Sequence, residues 1–540
     1  MKRSVLAPVL VALFSVAAGG WLLQQGVDRA ENVYVRVRVF QEVVDRVQSS
    51  FVDEVDGTAL YNSAIDGIIR DLGDPHSSFL PATDYEDLRI RTEGEYGGVG
   101  LEVVSRNGSV TVVSPIPGGP GGRVGIRAGD RFFEIEGVAA DTMVSDQAAD
   151  LLRGRPGSKV EVRMLRPGIE DPIDFTITRE VIRLKAVPFA VMLEDEVGYV
   201  PLLTVRETSE PEIRAAVDSL RGEGMRALVL DLRGNPGGLL DQGIAVSDLF
   251  LENGQGIVET RGRGAGQSEV FNASRPDRYE GIPVVVLIDA ASASASEIIA
   301  GALQDYDRAV LIGETTYGKG SVQSLYRLTG GDVLRLTTAR WYTPLGRSIH
   351  LDPLERGEDE PSHTLSISGQ LLQPLNIEGR PEFLSEAGRT LYGGGGITPD
   401  LFVSPETLKG REVGGVQGLF SRQGGFSNAV FSFAVSYVRD HPDLEVEFSL
   451  SRSDLDAVYE SLPGFGAPID RSDYDAAERF VRYHLEREIA LQAWDDAGEF
   501  AQLKQYDRQL KRALEILSGV ETPEQLLAAI AVAEADPAPR

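Results

Sequence analysis

The 540-residue chain has no cysteine. That excludes thiol catalysis, cysteine-ligated zinc and disulfide stapling. Histidine is scarce: His76, His350, His363, His441 and His484 are the whole complement. None lies in an HExxH pattern, and no two are close enough in sequence to suggest a metal pair. No metal site and no cofactor is therefore expected. Basic charge is also in deficit, with 53 Lys and Arg against 82 Asp and Glu and a net charge of −29. A surface of that sign does not collect phosphate backbones, which argues against nucleic acid as the main partner. Nor is there an internal repeat at solenoid spacing.

What is present is an ordinary globular composition, 42% apolar, in a chain too long for one core, so several domains are expected. Lys2 and Arg3 precede an uncharged, mostly apolar run from Ser4 to Leu23. Basic residues before such a run predict export of the chain downstream. The run approaches the ~20 residues that span a bilayer, while Val16-Ala17-Ala18 offers a small-residue cleavage site. Residues 1–27 thus read as a signal peptide or N-terminal membrane anchor, and the rest as extracytoplasmic.

Residues 28–92 read as an N-terminal helical region: Val39, Phe40, Val43, Val44 and Val47 recur at three and four, as do Leu60, Ala64, Ile65 and Ile68. Residues 93–178 change to short strands with Gly-rich turns, including Tyr96-Gly97-Gly98-Val99-Gly100-Leu101. Their order resembles a PDZ domain with its carboxylate-binding loop at Gly98, Val99, Gly100 and Leu101. Consecutive N–H groups in a glycine-bent loop hold a terminal carboxylate while the peptide adds a strand. From 179 to 410 strand and helix alternate, which predicts an α/β core, with a polar surface insertion at 351–392. Residues 411–540 turn mainly helical again.

Three segments carry candidate chemistry. Asp231-Leu232-Arg233-Gly234-Asn235-Pro236-Gly237-Gly238 follows an apolar run and precedes a helix. Side-chain-free Gly237 and Gly238 would let a carbonyl approach backbone N–H groups, or simply serve a turn. Ser292-Ala293-Ser294-Ala295-Ser296-Glu297 opens another helix. A hydroxyl there meets free N–H groups and the helix dipole, as acyl transfer requires. Yet Ser294-x-x-Glu297 is also a capping box, and on these residues alone capping is the stronger reading. Gly318-Lys319-Gly320 offers a lysine between glycines. With Gly313 it nearly spells a P-loop, but Gly320 replaces the Mg-binding hydroxyl residue and a β-hairpin stands where a helix is needed.

Taken together in order, these motifs resemble the carboxyl-terminal processing, or tail-specific, proteases, the serine-lysine peptidases of family S41. The resemblance runs from about residue 35 to 403 and also draws on Gly73-Asp74-Pro75-His76-Ser77, Gln323, Thr338-Ala339-Arg340-Trp341-Tyr342-Thr343-Pro344 and Gly396-Ile397-Thr398-Pro399-Asp400. Its implied fold is multidomain α+β: an α/β crotonase/ClpP-like protease core, a PDZ domain, and helical N- and C-terminal regions. It implies Ser294 as nucleophile, chosen over Ser292 and Ser296 by its spacing to the lysine. Lys319 would be the general base, oriented by Gln323, and the oxyanion donors a backbone N–H of Gly237-Gly238 and that of Ala295. The implied substrates are unfolded or tailed proteins with free C-termini. A silent PDZ scaffold on a protease body is the competing expectation, and the intact Ser294, Lys319 and Gln323 set speaks against it.

Lysine acts as a base only when neutral, so its pKa must fall from ~10.4 towards ~7–8, about 4 kcal/mol of bias against the ammonium. Burial supplies such a bias. A neutral amide such as Gln323 can orient the amine without restoring its charge. Residues four apart on a straight strand sit ~13 Å from one another, so Gly318 and Gly320 are expected to bend the chain.

Overall fold

The computed structural model describes residues 34–106, 108–264, 266–351, 364–420 and 424–535, together with Ser15. The N-terminal apolar run, except for Ser15, lies outside these residues, as does 352–363 of the insertion. Among the described residues no helix is long and apolar enough to cross a membrane.

Continuous apolar runs become the strands of a six-stranded sheet: β1 (Val191–Met192), β2 (Val197–Pro201), β3 (Ala227–Asp231), β4 (Val284–Ile288), β5 (Val310–Gly313) and β6 (Leu401–Phe402). They lie side by side in chain order, parallel except for β1. Every residue of β3, β4 and β5 is buried, which is why no polar alternation marks them. Parallel neighbours need crossovers. Helices α1 (Ser209–Gly222), α2 (Leu240–Ser247) and α3 (Ala295–Asp305) lie in them. Ile213 and Val217 of α1, Val246 of α2 and Ile299 of α3 pack with Leu228, Leu230, Val284 and Val286 on one face.

The alternate residues Val197, Tyr199, Val229, Val285, Leu287 and Ile312 face the other way. Leu510, Ala513 and Ile516 of α5 (Arg508–Leu517) and Leu526 and Ile530 of α6 (Pro523–Ala535) cover them. The end of the C-terminal helical region is thus the second layer over the six-stranded sheet. An earlier helix of that region, α4 (Gly425–Asp440), contributes to its own apolar cluster with Phe480, Val481 and Leu485.

The strands Leu101–Arg106, Ser109–Pro115, Arg131–Ile135, Lys159–Leu165 and Ile173–Thr178 form the sheet of the 93–178 region. Leu101–Arg106 is its edge, beside the helix Ser145–Leu152, whose Ser145 N–H donates to Ser105 Oγ at 2.8 Å. Arg106 ties this region to α4: it donates to Ser427 O at 3.2 Å and stacks 4.3 Å from the Phe431 ring.

The chain divides into two compact units, one of residues 84–322 and 338–540, the other of 1–83 and 323–337. The six-stranded sheet, its covering helices, α4 and the 93–178 region belong to the first. In the second, residues 34–50 and Gly57–Arg70 are helical, and Ser78–Leu80 pairs antiparallel with Val333–Arg335. Asp74 accepts from the His76 N–H at 3.1 Å and the Ser77 hydroxyl at 2.5 Å, which closes the turn of Gly73-Asp74-Pro75-His76-Ser77. The hairpin strands Ser321–Arg327 and Val333–Tyr342 each run from one unit into the other.

Candidate active site

Ser294 stands where β4 gives way to α3. Its backbone has φ 55° and ψ −114°, the conformation of the first central residue of a type II′ turn, which glycine adopts far more readily than serine. The turn is held on all sides. Asp289 Oδ1 accepts from the N–H groups of Ala291 at 3.0 Å and Ser292 at 2.9 Å. The Ser292 hydroxyl donates to Leu232 O at 2.8 Å and the Ser296 hydroxyl to Asn235 O at 3.1 Å. Both of these serines are fully buried. Ser294 is half-buried, and its hydroxyl makes no cap bond to the helix N–H groups. Of the three serines in the motif, it alone keeps a hydroxyl uncommitted to the fold among the described residues.

The capping box is therefore only half formed. Glu297 Oε2 accepts the Ser294 N–H at 2.7 Å, and that same oxygen accepts the Lys319 N–H at 2.9 Å. Its Oε1 takes the Thr316 hydroxyl at 2.6 Å and the Gly318 N–H at 2.7 Å. Glu297 is fully buried. Burial pushes its carboxyl above the ordinary value, against the pull of hydrogen bonds from Thr316, Gly318, Lys319 and Ser294. Its place in the first turn of α3 lets the helix dipole offset part of that cost. One buried side chain thus fixes the backbone of the serine turn and of the lysine loop together.

Lys319 is half-buried. Its carbonyl accepts the Trp341 indole N–H at 3.1 Å, and the Gly320 carbonyl accepts the Trp341 backbone N–H at 3.0 Å. Gln323 belongs to the other unit, where its amide donates to Thr337 Oγ1 at 3.4 Å.

Gly237 lies against the serine turn at φ +85°, and a Cβ there would meet Ala295 N at 2.8 Å and Ser294 Cβ at 2.9 Å. No other residue fits. Its N–H is engaged, donating to Asn235 Oδ1 at 2.8 Å. The N–H groups of Gly238 and of Ala295, the first residue of α3, have no backbone or side-chain acceptor among the described residues. Asn235 organises this corner. Fully buried, it donates to Leu202 O at 2.6 Å, while its own carbonyl accepts the Ala293 N–H at 2.9 Å.

Two charged residues of that motif, Asp231 and Arg233, are engaged with α5 instead. Arg233 binds Asp231 and Asp507, its Nη2 lying 2.6 Å from the former and 2.7 Å from the latter, and Tyr199 donates to Asp231 at 2.7 Å. Asp507 also caps α5 by accepting the Leu510 N–H at 2.9 Å. Burial opposes its charge, yet Arg233 and the cap bonds hold its carboxyl below the ordinary value. Gly98 ends the strand Glu95–Gly98, Val99 and Gly100 link it to the next, and Leu101 opens the edge strand; all four are buried.

The roles of Asn235, Thr316 and Trp341 were not assigned from the sequence. Each acts on backbone brought close only by folding; the sole sequence signal was their place inside the motifs.

The family model for peptidase family S41 matches residues 196–356, and one for a PDZ domain matches residues 111–166. A carboxy-terminal-processing protease of Bartonella bacilliformis is 41% identical over 323 residues, 59% of this chain and 74% of the relative. This chain belongs to peptidase family S41. The carboxy-terminal processing protease CtpA of Bacillus subtilis is 34% identical over 57% of this chain and 65% of its own length. Among solved structures, a photosystem II D1 C-terminal processing protease is 30% identical over 58% of this chain and 89% of that one, with a TM-score of 0.34. The S41 peptidase is accordingly a serine protease of the carboxy-terminal processing family with a PDZ domain.

Proposed function

We propose that this peptidase recognises the C-terminal tails of exported, unfolded proteins and cleaves them through an acyl-enzyme formed on Ser294. The observation that carries the reading is the Glu297 carboxylate, whose one oxygen holds the N–H groups of both Ser294 and Lys319. Nucleophile and base would then share one buried anchor, which is how a serine too weak to attack alone is kept in register with its base. Neutral Lys319, oriented by Gln323, takes the Ser294 proton as the hydroxyl adds to the peptide carbonyl. It returns that proton to the departing amine, and water, activated by the same lysine, then releases the acyl group. The tetrahedral oxyanion is received by the N–H groups of Gly238 and Ala295; Gly237 is left out because its N–H already serves Asn235.

Upstream of the chemistry, the loop Gly98, Val99, Gly100 and Leu101 takes the free carboxylate. The substrate tail then adds to the edge strand Leu101–Arg106 as a further strand. The N-terminal segment, as anchor or cleaved signal, places the enzyme outside the cytoplasm.

The test is turnover of an unfolded, exported protein by the wild type, Ser294→Ala and Lys319→Arg. Arginine stays protonated at any workable pH, so both variants are expected to be folded and inactive, and only the wild type to form a covalent adduct with a serine-directed phosphonate. Appreciable turnover by Lys319→Arg would remove Lys319 as the base.

A further inference from the structure

Beyond the carboxyl ends of β2 to β5 lies a cavity of about 540 Å³, within the ~300–1,000 Å³ typical of small-ligand sites. Such crevices at the ends of parallel strands are where α/β sheets bind ligands. Asp289 and Glu314, the first residues after β4 and β5, line it, as do Phe189, Tyr199 and Phe500; Ser294 and Lys319 do not. The Tyr199 and Phe500 rings stack at 4.2 Å and 19°.

Most charges on these walls already have partners. Arg233 is engaged by Asp231 and Asp507, and Arg487 by Glu499 at 2.6 Å. Asp289 accepts three N–H groups, including that of Gly234 at 2.9 Å. Asp496 and Arg508, which also line the cavity, are exposed; among the described residues Glu314 is the buried charge without a partner. It is only 6% exposed, and its carboxyl has neither a hydrogen-bond donor nor an ion-pair partner among the described residues. Burial and the neighbouring charge of Asp289 push it up to about 7. A carboxylate buried without a partner is costly, and a cation in the cavity would remove that cost. A metal ion does not fit, since no group of three or more acidic or histidine ligands able to hold one exists among the described residues.

We propose that this cavity binds an organic cation, an amine or guanidinium group, with Glu314 as its counter-charge and the stacked Tyr199 and Phe500 rings as its apolar wall. Cations of this kind pair with a carboxylate on one side and pack against aromatic rings on the other. The proposal is independent of the roles given to Ser294 and Lys319.

Isothermal titration of the full chain at pH 8 tests it, with two probes: agmatine, a free cation, and an acetylated and amidated Gly-Arg-Gly peptide, which carries the guanidinium on a side chain without free termini. Binding by either probe, weakened at least about tenfold in Glu314→Gln, is the expected result, tenfold being the worth of one hydrogen bond to a charged group. Which probe binds tells whether the site takes a free amine or a basic side chain. The substitution is nearly isosteric and removes a buried charge, so the variant is expected to fold, and its melting checks this. Absence of binding by both probes, or equal binding to wild type and Glu314→Gln, would overturn the proposal.

Discussion

Replacing Ser294 by glycine is expected to stabilise the protein while abolishing its proteolysis. The backbone at 294 has φ 55° and ψ −114°, a region that costs a non-glycine residue ~1–3 kcal/mol and persists only where the surroundings enforce it. Here Glu297, Asp289 and Asn235 do the enforcing. Glycine relieves the strain but enlarges the unfolded ensemble, an offset of ~0.4–1 kcal/mol. The hydroxyl contributes no cap bond to lose. The net gain is about 0.5–2 kcal/mol, and each kcal/mol raises the melting temperature by roughly 2–4 °C in a cooperative unit of ~150–250 residues. Ser294→Ala is the control. It loses the same hydroxyl and keeps the strained backbone, so it should melt near the wild type, and the difference between Gly and Ala isolates the strain. Differential scanning calorimetry of the three proteins decides the matter. A glycine variant melting at or below the alanine variant would refute the strain argument and restore serine's value as a cap.

Glu297→Gln should destabilise the site by ~2 kcal/mol or more, because an amide NH₂ must then face two donors, either those of Ser294 and Lys319 or those of Thr316 and Gly318. We expect kcat to fall while affinity for a C-terminal peptide at the PDZ domain is unchanged, measured by steady-state kinetics and titration. Amidating a substrate's C-terminus removes the charge that the Gly98–Leu101 loop would hold, and should raise KM markedly; equal rates for amidated and free-acid tails would exclude carboxylate capture. Arg233→Ala leaves Asp231 and Asp507 without their cation, at a cost of ~3–5 kcal/mol near pH 7. Because the folded state holds Asp507 below its ordinary value, its contribution is complete above the unfolded value of ~3.9 and lost as pH falls through the folded one. The gap between wild type and variant should therefore narrow in melts below about pH 4.

Much of the architecture was legible in the chain itself. Runs such as Val284–Ile288 and Val310–Gly313 are buried on both faces, and burial on two faces leaves an unbroken apolar signature that needs no partner to be recognised. The hairpin after Lys319 was equally plain, and it ruled out a phosphate loop. What α5 and α6 do was not legible. Their apolar stripes show that they pack but not on what, and only folding reveals them as the second cover of the sheet.

Inside the site the division tracks the range of each interaction. Local sequence determined that a serine would open α3, that glycines would precede α2 and that a lysine would sit between glycines, because helix starts and turns depend on neighbouring residues. Resemblance and spacing to the lysine singled out Ser294, but nothing in the sequence showed what Ser292 and Ser296 bind, and Gly237 and Gly238 stayed equivalent as donors. Tertiary structure decided both: Leu232 O and Asn235 O take the hydroxyls of Ser292 and Ser296, and Asn235 Oδ1 takes the N–H of Gly237. It also divided one motif between two tasks, turning Asp231 and Arg233 towards α5 and Asn235 to Gly238 towards the serine. The physical reason is that a polar group becomes available for chemistry only where the fold leaves it without a partner, and partners supplied from dozens of residues away cannot be read from the residues beside it.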